Sequence, residues 1–193
     1  MGYSQAQKAE SRQRVLEAAS RQIREDGMEA LGVADCMRSA GLTHGAFYGH
    51  FPSRDALIVE ALEHAIKEGQ QRIDVLAGDA KKRAQTPLQA IAAAFLSERH
   101  VKSPGNGCAL CALAGEARHA DSTVRALLTA YLQELASRMT DAAASDDPKL
   151  GLGMLATIVG AVTLARATDD DKLARSILSA ALAQVMAQDG AVA

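Results

Sequence analysis

Two short stretches hold most of the side chains whose types and spacing suit chemistry. The first is Gly107-Cys108-Ala109-Leu110-Cys111, which follows the breaker Ser103-Pro104-Gly105-Asn106. It opens a helix, so Cys108 lies beside free backbone N–H groups and the positive end of the helix dipole, where a thiolate is favoured. Cys111, three residues on, shares that face. Oxidation of the pair, or attack by Cys108 on an electrophile, would change how the helix packs. Against this, small cysteines in an alanine-rich helix usually serve packing, and both readings stay open. The second stretch runs from Ala40-Gly41-Leu42 through Thr43-His44-Gly45-Ala46-Phe47-Tyr48-Gly49-His50-Phe51. Gly41 can turn the backbone, Thr43 can cap a new helix, and Pro52 must end it. Phe47 and Phe51, four apart, share a buried face, which leaves a polar and aromatic edge suited to DNA.

Other chemistries find little support. A metal centre drawing on Cys108, Cys111 and either His100 or His119 has one CxxC without a second pair at metal-ligand spacing, so no metal is expected. A thioredoxin-like enzyme would need strands around its CxxC. No Ser/His/Asp set, phosphate loop or carboxylate pair stands out, so no catalytic residue, cofactor or enzymatic activity is expected.

These stretches need helices to hold them. Val15, Leu16, Ala18, Ala19 and Ile23 recur at helical spacing over residues 9–26, and Gly27 is the natural stop. A second helix over 33–40 carries Val33, Cys36, Met37 and Ala40, with Gly32 where a capping side chain is usual, and a short third covers 43–51. Ser53 caps a long helix reaching about residue 77, and the basic segment 78–86 connects it to the helix opened by Pro87. Further helices are expected over 87–101, 107–119, 121–144, 148–168 and 170–188.

Composition agrees with an all-α chain of one or two domains. Apolar residues are 48 % of the 193, much of that alanine, while aromatics are 3 %, which favours closely packed helices over a sheet. A net charge of −2 argues against a protein that coats nucleic acid non-specifically, but not against a local basic face. Lys8, Arg12, Arg14, Arg21 and Arg24 on the first helix join Arg38 and Arg54 near the second stretch. No hydrophobic leader and no uninterrupted membrane-crossing run is evident, and three cysteines cannot all pair within one chain, so a reducing cytoplasmic location is expected.

The pattern Val15-Leu16-x-Ala18-Ala19, Gly27, Ala40-Gly41-Leu42-Thr43-x-Gly45-x-Phe47-Tyr48-x-His50-Phe51, then Ser53-Arg54-x-Ala56-Leu57, resembles the TetR family of transcriptional regulators. The resemblance covers about the first 60 residues. It implies a three-helix helix-turn-helix DNA-binding domain, here residues 1–54, and a helical effector-binding and dimerisation domain, residues 55–193. By that resemblance Thr43, His44, Tyr48 and His50 contact phosphate or lie against the major groove, while Gly45 and Ala46 come near base edges. His44 and Ala46 stand where lysine and threonine are common. Arg38 is a further candidate for phosphate, and phosphate contacts fix register without reading sequence.

An effector pocket is expected among the later helices, lined by Phe95, Leu96, Leu110, Leu113, Leu128, Tyr131 and Leu135, with Glu98, Arg99, His100, Glu116 and Arg118 able to orient a polar group. Gly153, Ala156, Thr157, Gly160, Ala161 and Leu164 line one side of the penultimate helix, and Leu173, Ile177, Ala181 and Val185 form a stripe on the last. Two copies of this pair would build a four-helix dimer interface. The expectation is a homodimeric repressor on a palindromic operator, released by a small-molecule effector. The alternative is a helical thiol-based sensor or enzyme using Cys108.

Overall fold

Val15, Ala19 and Ile23 are fully buried along one face of α1 (Gln5–Asp26), the face that packs on α3 (Arg54–Asp79). The computed structural model describes residues 5–189. Gly27, at φ +91°, ends α1 in the left-handed conformation that glycine adopts without strain, and α2 (Val33–Ser39) follows with Cys36 and Met37 inward. Gly41 repeats the device at φ +73° and leads into a 3₁₀ helix, His44–Gly49. Thr43 stands at the cap position but its side chain makes no capping bond, contrary to expectation. The tighter helix suits a six-residue stretch with a glycine inside, another at its end and Pro52 just beyond.

Ser53 does cap α3, its hydroxyl accepting from Ala56 N–H at 3.0 Å. Beyond α3 the expected helix 87–101 is two, α4 (Pro87–Phe95) and α5 (Glu98–Lys102). Leu96 leaves helical geometry, and Ser97 bonds backward to Ala94 O (2.8 Å) and forward from His100 N–H (3.2 Å), a local alternative to the helix ladder. The expected helix 107–119 is likewise cut to α6 (Ala109–Leu113) and a 3₁₀ turn, Ala117–His119, with Gly115 between. Cys108 precedes α6 as its N-cap residue.

Three long helices complete the chain: α7 (Ser122–Ala142), α8 (Pro148–Ala167) and α9 (Asp171–Met186). Asp121, Asp147 and Asp170 cap them by accepting backbone N–H bonds. α8 packs against both α7 and α9. At mean hydropathy 1.7 over an 18-residue window it is long and apolar enough to cross a membrane by length and composition alone, and glycines interrupt the run as the sequence reading expects. Glycine and threonine interrupt its apolar run without making it polar. Among the described residues there is no strand, and one apolar cluster runs continuously from Val15 to Val185.

Candidate DNA interface and ligand cavity

The 3₁₀ helix after Gly41 has a buried side and an open side. Phe47 and Phe51 stack with ring centroids 5.9 Å apart and are almost fully buried, and the element packs on α2. Tyr48 packs edge-on against Phe47 at 5.2 Å, yet 76 % of it is exposed. Thr43, His44 and Gly45 are also exposed and Ala46 is half-buried. Among the described residues nothing lies within 4 Å of where a Cβ on Gly45 or Gly49 would be, so the backbone there is open to close approach. His50 turns the other way. It is half-buried, its Nδ1 is shielded and has no bonding partner among the described residues, and its pKa is lowered by burial and by Lys8 and Arg12.

Most of the basic side chains near this element hold it in position. Arg12 lies over the Phe51 ring at 4.7 Å and pairs with Glu60. Arg14 donates to Ala40 O at 3.1 Å, closing the end of α2, and Arg54 donates to the carbonyls of Met28, Glu29 and Leu31. Arg38 is exposed and pairs with Asp35 three residues before it. Arg24, grouped by sequence with this basic face, is buried and points away from it.

The cysteine stretch, Gly107 to Cys111, packs against α1 with α6 and the turn before it. Cys108 is 2 % exposed, and its Sγ stands 3.7 Å from the Tyr131 hydroxyl. The Cys111 thiol, the Cys111 and Leu110 N–H groups and the Tyr131 hydroxyl bond to its sulfur and hold its pKa down, against the opposing effect of burial. Cys111 is correspondingly pushed up, by its bond to Cys108 and by burial. Cys36 donates to Gln22 Oε1 at 3.2 Å, and burial pushes it up to about 11. The backbone N–H of Cys108 donates to His100 Nε2 (3.1 Å), so the proton sits on Nδ1, which faces Phe95 O at 2.7 Å. Burial lowers the His100 pKa to about 4, leaving the ring neutral. Arg166 at the end of α8 donates to the carbonyls of His100, Val101 and Cys111, satisfying the ends of two short helices.

A cavity of about 430 Å³ opens beside Cys108, within the range of small-molecule sites. Of the residues expected to line an effector pocket, Phe95 lines this one. Leu110 and Leu128 border a smaller depression of about 230 Å³ with Arg118 and Arg125. Leu113, Tyr131 and Leu135 are fully buried core, and Leu96 is nearly so. Neither depression is lined by these four. Glu116 instead accepts from Met28 N–H at 2.9 Å, and Glu98 pairs with Lys102. Sequence reading missed Arg72 and Arg83, which line the cavity with Arg99 and His100. Their convergence depends on long-range packing that helical periodicity does not encode. Among the described residues no group of three or more His, Cys, Asp or Glu is arranged to hold a metal.

A short helix after a glycine turn, aromatic on its inner side and open on its outer side, with an all-helical body behind it, defines a helix-turn-helix fold. Residues 15–61 match the family described as bacterial regulatory proteins, tetR family, and this part of the chain is a TetR-family domain. The whole chain has the TetR fold. It superposes on a TetR regulator from Chloroflexus aurantiacus with TM-score 0.77 and 22 % identity, covering 94 % of this chain and 95 % of that one. A TetR-family regulator from Cytophaga hutchinsonii gives 0.77 at 16 % identity over 98 % and 99 %. The reduced form of E. coli NemR gives 0.74 at 20 % over 91 % and 94 %. No curated protein sequence matches the chain.

Proposed function

We propose that the protein is a homodimeric transcriptional repressor that binds a palindromic operator through residues 1–54 and is released when a small-molecule effector occupies residues 55–193. The observation that carries this reading is the exposed Tyr48 edge seated on the buried Phe47–Phe51 pair. Thr43, Tyr48 and His44 contact phosphate, with Arg38 joining them if Asp35 yields it. His50 positions the element more than it reaches outward. Gly45 and Ala46 allow close approach to bases, where Ala46 offers only its methyl group. The protein acts in the cytoplasm as a regulator and not as an enzyme.

Support for the dimer comes from α8 and α9. Leu152, Gly153, Ala156 and Leu164 are exposed along α8, as is Leu173 on α9, whereas Ala161, Ala181 and Val185 are buried within the chain. A second copy covers this face and sets two DNA-binding elements about 34 Å apart, or a multiple of that. The test is electrophoretic mobility on the gene's own upstream region. Salt-sensitive, sequence-selective retardation of a dimer is expected, and its absence at low salt refutes the reading.

A second reading rests on the bonds to Cys108. A thiol held down in pKa at a cavity wall fits an electrophile sensor, in which the thiolate adds to an activated C=C bond, the S–C bond forming as the π bond breaks and the adjacent carbon takes a proton from water, and the adduct disturbs Tyr131 and α6. Cys108→Ser abolishes release by N-ethylmaleimide if this holds, and leaves it intact if Cys108 is packing alone.

A further inference from the structure

The cavity beside Cys108 has an unusual charge balance. Its walls carry Arg72 from α3, Arg83 from the 3₁₀ turn after it, and Arg99 from α5, with no carboxylate among the lining residues. None of the three arginine side chains has a hydrogen bond or ion pair among the described residues. Asp79 lies close enough to feel Arg83, but its bonded partner is Lys82 at 2.7 Å. Arg99 and Arg83 are exposed at the rim, and Arg72 is half-buried. His100 is the other basic group in the wall, and it is neutral and already committed to Phe95 O and Cys108 N–H. Arg166, behind it, is committed to three carbonyls.

The rest of the lining divides in two. Leu76, Ala94, Phe95 and Cys108 make an apolar wall, while Ser97, Ser103 and Asn106 supply hydroxyl and amide groups. Three guanidinium groups without a bonded counter-ion among the described residues, lining one cavity beside an apolar wall, form half of a recognition site. A guanidinium pairs best with a planar or tetrahedral oxyanion, through charge-assisted bonds that are often bidentate.

The geometry points to an amphiphilic organic anion as the ligand of this cavity: a carboxylate or phosphate head on Arg72, Arg83 and Arg99, with an apolar body against Leu76, Ala94 and Phe95. This inference rests on the reading of the cavity as the effector site. The anion enters past Arg83 and Arg99, and Arg72 holds the head deeper. Asn106 and Ser103 lie in the same wall, next to Gly105 and Gly107, which bear directly on α1. Occupancy therefore acts on the segment that supports the DNA-binding element.

The experiment measures binding of decanoate, benzoate and hexyl phosphate to the full-length protein by calorimetry, beside decanamide, benzamide and inorganic phosphate. The organic anions bind and the amides do not, and inorganic phosphate binds at least tenfold more weakly than hexyl phosphate. Arg72→Gln weakens anion binding at least tenfold. The double variant Arg83→Gln/Arg99→Gln, altered only at exposed positions, does the same without loss of thermal stability. Carboxylates and hexyl phosphate compared side by side tell which head is preferred. Equal binding by the amides, unchanged affinity in both variants, or no binding by any organic anion overturns the inference. Operator binding measured in parallel separates the two readings. Anions that bind in the cavity yet leave DNA affinity unchanged refute effector release while the anion site stands. Release by a neutral compound, with no anion binding, does the reverse.

Discussion

Arg24 Nη1, on the first helix, donates to Gly107 O at 3.1 Å, across 83 residues of chain, and the next residue after that carbonyl is Cys108. The same guanidinium reaches Glu68 on α3 at 2.6 Å and both oxygens of Ser20. Arg24 is almost fully buried whereas Glu68 is about a third exposed. Gly105, two residues before Gly107, sits flush against Arg21 and Glu25, where a Cβ would collide with both. One side chain thus ties the helix that supports the helix-turn-helix element to the segment forming the cavity wall.

Replacing Arg24 by Met removes that tie and leaves Gly107 O without its partner in a buried position. Glu68, being partly exposed, can recover water, so the loss should fall below the full penalty for breaking a buried pair. A destabilisation of about 2 kcal/mol in urea unfolding is expected. Glu68→Gln alone should cost less, and the double variant should be far from additive because both side chains belong to one network. Additive losses would mean that Arg24 and Glu68 act independently.

Phe47 and Tyr48 are neighbours with opposite expectations. Phe47→Ala empties a buried site against Phe51 and should cost about 3–5 kcal/mol, unfolding the N-terminal unit. Tyr48 is mostly exposed, so Tyr48→Phe should change stability by less than about 0.5 kcal/mol. If its hydroxyl meets a phosphate, the same change weakens operator binding about tenfold, since bonds to charged groups contribute about 1.5–3 kcal/mol. Thermal melts and DNA titrations on the two variants check both halves.

His100 supplies a pH dependence with a definite sign. Its folded pKa, about 4, lies below the usual value of 6.5, so between these values the unfolded chain binds more protons than the folded one. Stability should be unaffected above about pH 6.5, fall as the pH drops towards 4, and level off below that as far as this residue is concerned. The total is on the order of 3 kcal/mol. His100→Gln keeps a donor and an acceptor but cannot titrate, so its stability should be flatter over that window in urea melts at stepped pH. An unchanged slope would assign the acid sensitivity to other groups.

The N-terminal fold was legible because its signals are local. Gly27 and Gly41 are stops that only backbone geometry requires, Ser53 is a cap three residues from its partner, and Phe47 and Phe51 repeat at helical spacing. The broken helices at Ser97 and Gly115 were less so. Ser97 competes for backbone bonds only because Leu96 has a buried place to occupy, and that is decided by tertiary packing. The thiol pair was visible as a spacing, yet its surroundings were not. Tyr131, 23 residues on, and the cavity arginines arrive from separate helices. Arg24 was misassigned to the basic face because on a helix of both charged and apolar residues nothing local says which arginine is drawn inward.

The glycines of α8 separate packing within the chain from packing between chains. A Cβ at Gly151 would collide with Ala136 O and the Thr140 hydroxyl on α7, so Gly151→Ala should push the helices apart and cost about 1–3 kcal/mol. At Gly153 and Gly160 a Cβ would meet nothing within 4 Å. In an isolated chain, alanine there should stabilise α8, by about 1 kcal/mol at each site through helix propensity alone. If these glycines allow two copies to approach closely along α8, the same substitutions weaken the dimer instead. Sedimentation equilibrium on Gly153→Ala/Gly160→Ala should therefore give a dissociation constant raised at least tenfold, while thermal stability of the dissociated chain rises. A variant that is more stable and equally dimeric would remove α8 from the interface, leaving Leu173 and the rest of the exposed α9 surface to be tested in its place.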